Sequence, residues 1–66
     1  EHAFIGPGAT LCGDVRIEAG AFVGAGAVVL PGVTVKKDAV VGAGAVVVRT
    51  VEAGVTMVGN PAVRVS

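Results

Sequence analysis

Every sixth residue from Ile5 onward is aliphatic: Ile5, Leu11, Ile17, Val23, Val29, Val35, Val41 and Val47. Four places further on in each unit stands Ala or Val, at Ala9, Val15, Ala21, Ala27, Val33, Ala39, Ala45 and Val51. Between them recur turn formers, at Gly8, Asp14, Gly20, Gly26, Gly32, Asp38 and Gly44. A helix repeats about every 3.6 residues and a strand about every 2, so neither alone produces this pattern. A short strand followed by a tight corner does. The aliphatic residue points inward, the small residue fills the corner, and Gly or Asp takes the strained turn conformation. Three units return the chain to the same side, so a longer repeat of three hexapeptides is also present: Ile5-Gly-Pro-Gly-Ala9 comes back as Val23-Gly-Ala-Gly-Ala27 and as Val41-Gly-Ala-Gly-Ala45.

The chain therefore reads as all-β, a parallel β-helix with three flat faces and coils about 4.8 Å apart. Its inward ladders are Ile5/Val23/Val41, Leu11/Val29/Val47 and Ile17/Val35. The period of six breaks after Thr50, which gives fewer than three triangular coils over residues 1–51. Residues 52–66 read as a cap, a strand pair with turns at Gly54 and at Gly59-Asn60-Pro61, closing the end of the last coil. Met57 in this segment reads as core filler. A stack with so few repeats is barely self-sufficient.

Composition closes several functional routes. One cysteine, Cys12, and one histidine, His2, exclude an internal disulfide and a cluster of metal ligands. Five basic residues against five acidic ones leave no net charge, which argues against a nucleic-acid footprint or a basic membrane patch. The longest uncharged run, Ala19 to Val35, contains four glycines and Pro31, and is too short and too interrupted for a membrane span. The sequence Gly24-Ala-Gly-Ala-Val-Val lacks the third glycine of a dinucleotide loop, and no crossover helix follows it. Cys12 has no basic neighbour in sequence to activate it, so it reads as a packed interface thiol.

The outward positions divide the molecule by chemistry. The third face carries Arg16, Glu18, Thr34 and Lys36, with Lys37 and Asp38 at its corner, and reads as solvated. The second carries Thr10, Cys12, Val28, Leu30, Val46 and Val48, an apolar ladder expected to bury against another copy in a cyclic homo-oligomer. The first carries Phe4, Phe22 and Val40 beside Gly6, Gly24 and Gly42. Its bare backbone either admits a slim ligand or merely serves the turns, and the residues alone leave both readings standing.

Together, the eight hexapeptides and the terminal Val58-Gly59-Asn60-Pro61-Ala62 resemble the hexapeptide-repeat acyltransferases, trimeric left-handed β-helix enzymes that use acetyl-CoA. Within that superfamily, the stretch Gly6-Pro7-Gly8-Ala9-Thr10-Leu11-Cys12-Gly13-Asp14-Val15 is similar to the sialic-acid and bacillosamine-type sugar acetyltransferases. The resemblance implies the C-terminal part of a cytoplasmic sugar O- or N-acetyltransferase with a sugar or nucleotide-sugar acceptor. It implies a homotrimer through Val28, Leu30, Val46 and Val48, and acetyl-CoA held by Phe4, Gly24, Ala25, Gly42 and Ala43, its pantetheine arm running along the backbone of 24–26 and 42–44. It also implies a catalytic histidine in a coil that precedes this sequence, so no catalytic residue is expected here. A cofactor-holding histidine of the family falls at Phe4, while His2 reads as a solvated terminal residue. The family's Lys after the Pro-Ala pair is Val63, followed by Arg64, whose meeting with a CoA phosphate is left open. The alternative function is a non-catalytic trimerising β-helix module.

Overall fold

The computed structural model describes residues 3–66; His2 and Glu1 lie outside the described residues. The chain is a left-handed parallel β-helix of about three coils, with no helix among the described residues. Each hexapeptide supplies one strand of two residues and one corner. In chain order the strands are β1 (Phe4–Ile5), β2 (Thr10–Leu11), β3 (Arg16–Ile17), β4 (Phe22–Val23), β5 (Val28–Val29), β6 (Thr34–Val35), β7 (Val40–Val41) and β8 (Val46–Val47). Two more follow, β9 (Thr56–Val58) and β10 (Val63–Arg64).

The three faces are three sheets. The first is β1-β4-β7-β9-β10, the second β2-β5-β8 and the third β3-β6. Pairing around the coils is parallel, with Phe4 on Phe22, Thr10 on Val28 and Arg16 on Thr34, so the first coil advances by the expected three hexapeptides. The inward ladders form as expected: Val23, Val29, Val35, Val41 and Val47 are all fully buried. The corner residues Ala21, Ala27, Val33, Ala39 and Ala45 join them in one core. All seven expected turn formers have positive φ, including Asp14 at 61° and Asp38 at 60°. Asp is one of the few side chains that tolerate this conformation.

The coil runs further than the period of six reveals. Val51, assigned by the pattern to a corner, is an inward ladder residue: it bridges Val35 in parallel and is completely buried. Met57 then pairs with Val41, so the third coil is shorter by two positions than the coils before it. The missing pair comes out of the corner around Arg49 and Thr50, and that deletion shifts the phase of everything after it. The third ladder is thus Ile17/Val35/Val51, and the first ends on Met57.

The two ends of the stack differ. At the C-terminal end β10 turns back antiparallel on β9, through a loop containing the cis Asn60–Pro61 bond. That loop also pairs with the second face: the Val46 N–H donates to the Gly59 carbonyl at 2.9 Å and the Val46 carbonyl accepts from the Ala62 N–H at 2.8 Å. At the N-terminal end the ladder residues Ile5 and Leu11 are each 40% exposed, against 0% for their counterparts one coil on. The hairpin seals the core at the C-terminal end.

Candidate functional site

Charge is confined almost entirely to one side of the prism. Of the nine charged residues described, Asp14, Arg16, Glu18, Lys36, Lys37, Asp38, Arg49 and Glu52 lie on the third face or its two corners. There Lys36 pairs with Glu52 at 3.1 Å, and the Lys37 N–H donates to Glu18 Oε1 at 3.2 Å. The outward positions of the first and second faces, and the Gly/Ala/Pro edge between them, carry no charged side chain among the described residues.

On the first face the outward residues make two columns. Phe4, Phe22, Val40 and Thr56 form one, in register by strand pairing. The Phe4 and Phe22 rings stack with centroids 4.9 Å apart and planes 17° apart, and both remain about half exposed. Gly6, Gly24 and Gly42 form the other column, which ends in Val58 and, across the hairpin, Val63. Phe4, Phe22, Val58, Val63 and Val65 account for five of the eight exposed large hydrophobic residues, so this face is a continuous apolar surface.

The glycine column has a packing cause. A Cβ on Gly6 would lie 2.6 Å from the Ala25 nitrogen, and one on Gly24 would lie 2.5 Å from the Ala43 nitrogen. Gly6 and Gly24 are themselves buried, and the Gly24 and Gly42 N–H groups donate to the Val41 and Met57 carbonyls. The backbone reachable from outside is therefore the next two residues of each corner, Ala25-Gly26 and Ala43-Gly44, all four exposed. These corners are stacked directly, since the Gly44 N–H donates to the Ala25 carbonyl at 2.9 Å. Among the described residues, neither the Ala25 nor the Ala43 N–H finds a backbone acceptor.

Phe4, Gly24, Ala25, Gly42 and Ala43 thus fall on one side of the molecule, the first face and the edge it shares with the second. On the second face Val28, Leu30 and Val46 are half-buried and Val48 is 42% exposed. Among the described residues no three His, Cys, Asp or Glu side chains come together. Sequence reasoning passed over a depression of about 400 Å³ at the sealed end, where Arg49 and Arg64 stand around Val48, Met57 and Pro61. The signal for it was the shortened corner, which is masked in the sequence because valine occupies both the ladder and the neighbouring positions.

A three-faced coil with stacked Gly-Ala corners defines a hexapeptide-repeat β-helix protein. The model of the bacterial transferase hexapeptide family (six repeats) matches residues 1–30 and 14–49, and the chain belongs to this family. It is similar to PerB from Caulobacter crescentus, solved in complex with CoA and GDP-perosamine, with 45% identity and a TM-score of 0.92 over 94% of this chain and 30% of that one. The acetyltransferase domain of PglB from Neisseria gonorrhoeae, also solved with acetyl coenzyme A, is 40% identical with a TM-score of 0.93, over 96% of this chain and 31% of that one. WeeI from Acinetobacter baumannii is 41% identical with a TM-score of 0.94, over 98% of this chain and 33% of that one. The chain thus spans about a third of the length of these relatives. No curated protein sequence matches it significantly.

Proposed function

We propose that this chain is the C-terminal part of an acetyl-CoA-dependent sugar O- or N-acetyltransferase, supplying the cofactor groove and the trimer contacts. The observation that carries this reading is the pair of stacked, exposed corners, Ala25-Gly26 over Ala43-Gly44, beside the Phe4–Phe22 stack. Amides at Ala25 and Ala43 without a backbone acceptor offer donors to an extended amide-bearing chain such as pantetheine. Relatives at 40–45% identity that hold CoA or acetyl-CoA support the same ligand. The relative that holds GDP-perosamine supports a nucleotide-sugar acceptor.

The chemistry is acyl transfer. The acceptor amine or hydroxyl attacks the thioester carbonyl, the C–S bond breaks, and the CoA thiol leaves with the proton taken from the acceptor. A histidine in a preceding coil is the general base. The residues of this chain position the donor: Phe4 packs near the acyl end, and the 24–25 and 42–43 backbone guides the arm. The uncharged Val28/Leu30/Val46/Val48 ladder packs against its counterparts in a homotrimer. The enzyme works in the cytoplasm, where its donor is made.

Titration calorimetry of the intact protein with acetyl-CoA, followed by mass spectrometry of GDP- or UDP-linked amino sugars after incubation, tests the reading. Saturable binding and a mass gain of one acetyl group on the sugar are expected. Stable trimers that bind no acetyl-CoA would replace this reading with a non-catalytic trimerising module.

A further inference from the structure

Pro7, Ala25 and Ala43 hold the same place in three stacked corners, all exposed, and differ in the one group that a ligand could read. Each corner is a turn closed by a hydrogen bond of 3.2 Å, the Ala9, Ala27 and Ala45 N–H groups donating to the Gly6, Gly24 and Gly42 carbonyls. The third residue of each turn, Gly8, Gly26 or Gly44, has φ of 73°, 71° or 71°. This is a turn in which proline is favoured at the second position. The corners are tied along the axis, the Gly26 N–H donating to the Pro7 carbonyl at 3.0 Å and the Gly44 N–H to the Ala25 carbonyl at 2.9 Å. At the second position Ala25 and Ala43 each keep an N–H with no backbone acceptor among the described residues, whereas Pro7 has no N–H to offer. Beyond Ala43 the repeat gives way to the hairpin, and the Ala43 carbonyl accepts no backbone N–H among the described residues. The edge thus carries two equivalent donors one coil apart, about 4.8 Å, with a proline in the next coil.

We propose that Pro7 is a positioning residue that sets the register of the acyl donor's arm, an inference that rests on the acetyl-CoA reading above. An extended chain with two amide carbonyls fits two consecutive corners. On three equal corners it would fit equally well in two registers, one coil apart. The missing N–H at Pro7 takes one hydrogen bond from the register shifted toward the first coil, which disfavours that register about fivefold. The acyl end is thereby held beside Phe4 and Pro7 rather than carried one coil past them.

The probe is S-acetylpantetheine, which lacks the nucleotide and is free to slide along the edge; acetyl-CoA is titrated beside it, and the amide resonances of the intact protein are followed by NMR. In the parent the Ala25 and Ala43 amides should shift together. Pro7→Ala keeps the turn, since alanine already fills this place at 25 and 43. Its new amide should shift as well, and the response at Ala43 should fall by about half as the two registers become equally populated. Ala43→Pro should bind the probe about fivefold more weakly, and adding Pro7→Ala should restore most of that affinity by recreating two adjacent donors. Pro31→Ala is the control for turn rigidity, because Leu30 to Val33 form the same turn on the edge between the second and third faces, with Gly32 at φ 78°. It should change neither pattern. Parent-like shifts in Pro7→Ala with no rescue of Ala43→Pro, or shifts that Pro31→Ala reproduces, overturn the role of Pro7 and leave the acetyl-CoA reading standing. Should Ala43→Pro not fold, the shift pattern of Pro7→Ala decides alone. Where only acetyl-CoA binds, the same shifts are read with it. A parent that binds neither compound loses both the acetyl-CoA reading and the proposal.

Discussion

Val51 bridges Val35 two positions sooner along the chain than the spacing of Ile17 from Val35, its partner on the other side, would place it. The side chain still points inward because the deletion removes an even number of positions and keeps the alternation of the strand. Val51 is fully buried and closes the third ladder. Val51→Ala should destabilise the fold by about 2 kcal/mol, from lost burial and an unfilled hollow between sealed neighbours. Chemical denaturation of the variant checks this, and an unchanged midpoint would return Val51 to a corner role.

Gly24 and Gly26 sit close together in one corner and should fail for different reasons. A Cβ at Gly24 meets the backbone of Ala43 and Gly42 at 2.5–2.8 Å, and backbone cannot step aside. Gly24→Ala should therefore destabilise by about 1–3 kcal/mol. At Gly26 nothing lies within 4 Å, but φ is +71°. Gly26→Ala should cost about 1 kcal/mol from strain alone. Gly26→Asn should recover much of that, as Asp14 and Asp38 already show side chains in this conformation. Thermal unfolding of the three variants separates the two causes.

Leu30 stands in the middle of the uncharged second face, half-buried and packed partly against the core. Leu30→Asp should dissociate the homotrimer proposed above, since an unpaired charge would be buried between copies. Sedimentation velocity reads the outcome directly. A variant that still sediments as a trimer would remove the second face from the interface.

Ala25 is exposed at the corner between the first and second faces, so a large side chain there has room in the isolated coil. Ala25→Trp should leave the thermal midpoint nearly unchanged and reduce acetyl-CoA affinity by tenfold or more, by filling the path proposed for the pantetheine arm. Undiminished affinity in a folded variant would sink the assignment of this corner to the cofactor.

The Lys36–Glu52 pair spans two coils at 3.1 Å with side chains 42% and 67% exposed. Glu52→Gln should change stability by no more than about 0.5 kcal/mol, because exposed pairs are screened and lose side-chain entropy. A larger loss in a denaturation series would mean the pair helps fix the register of the last coil.

Most of this architecture was legible because its cause is local. Each hexapeptide carries its own inward aliphatic, corner filler and left-handed turn residue, so a reader of Ile5 to Val47 can place each side chain without knowing the rest. Two things escaped. The phase shift at Arg49-Thr50 was hidden because Val46, Val47, Val48 and Val51 are chemically alike, and only strand pairing shows which of them points inward. The glycine column was legible as bare backbone but not as crowded: that Ala43 closes over Gly24 depends on the distance between coils, a tertiary quantity. The same holds at the site. The Gly-Ala corners announced themselves by repetition, whereas Arg49 and Arg64 come together only through the hairpin that folds β10 under Met57.

The C-terminal hairpin decides what that end of the stack can do. The backbone of Thr56–Val58 and Val46, which an added coil would need for pairing, is already taken by β10 and the 59–62 loop. A further coil finds no free edge to template on there, so the repeat that could in principle be extended indefinitely carries its own terminator at this pole.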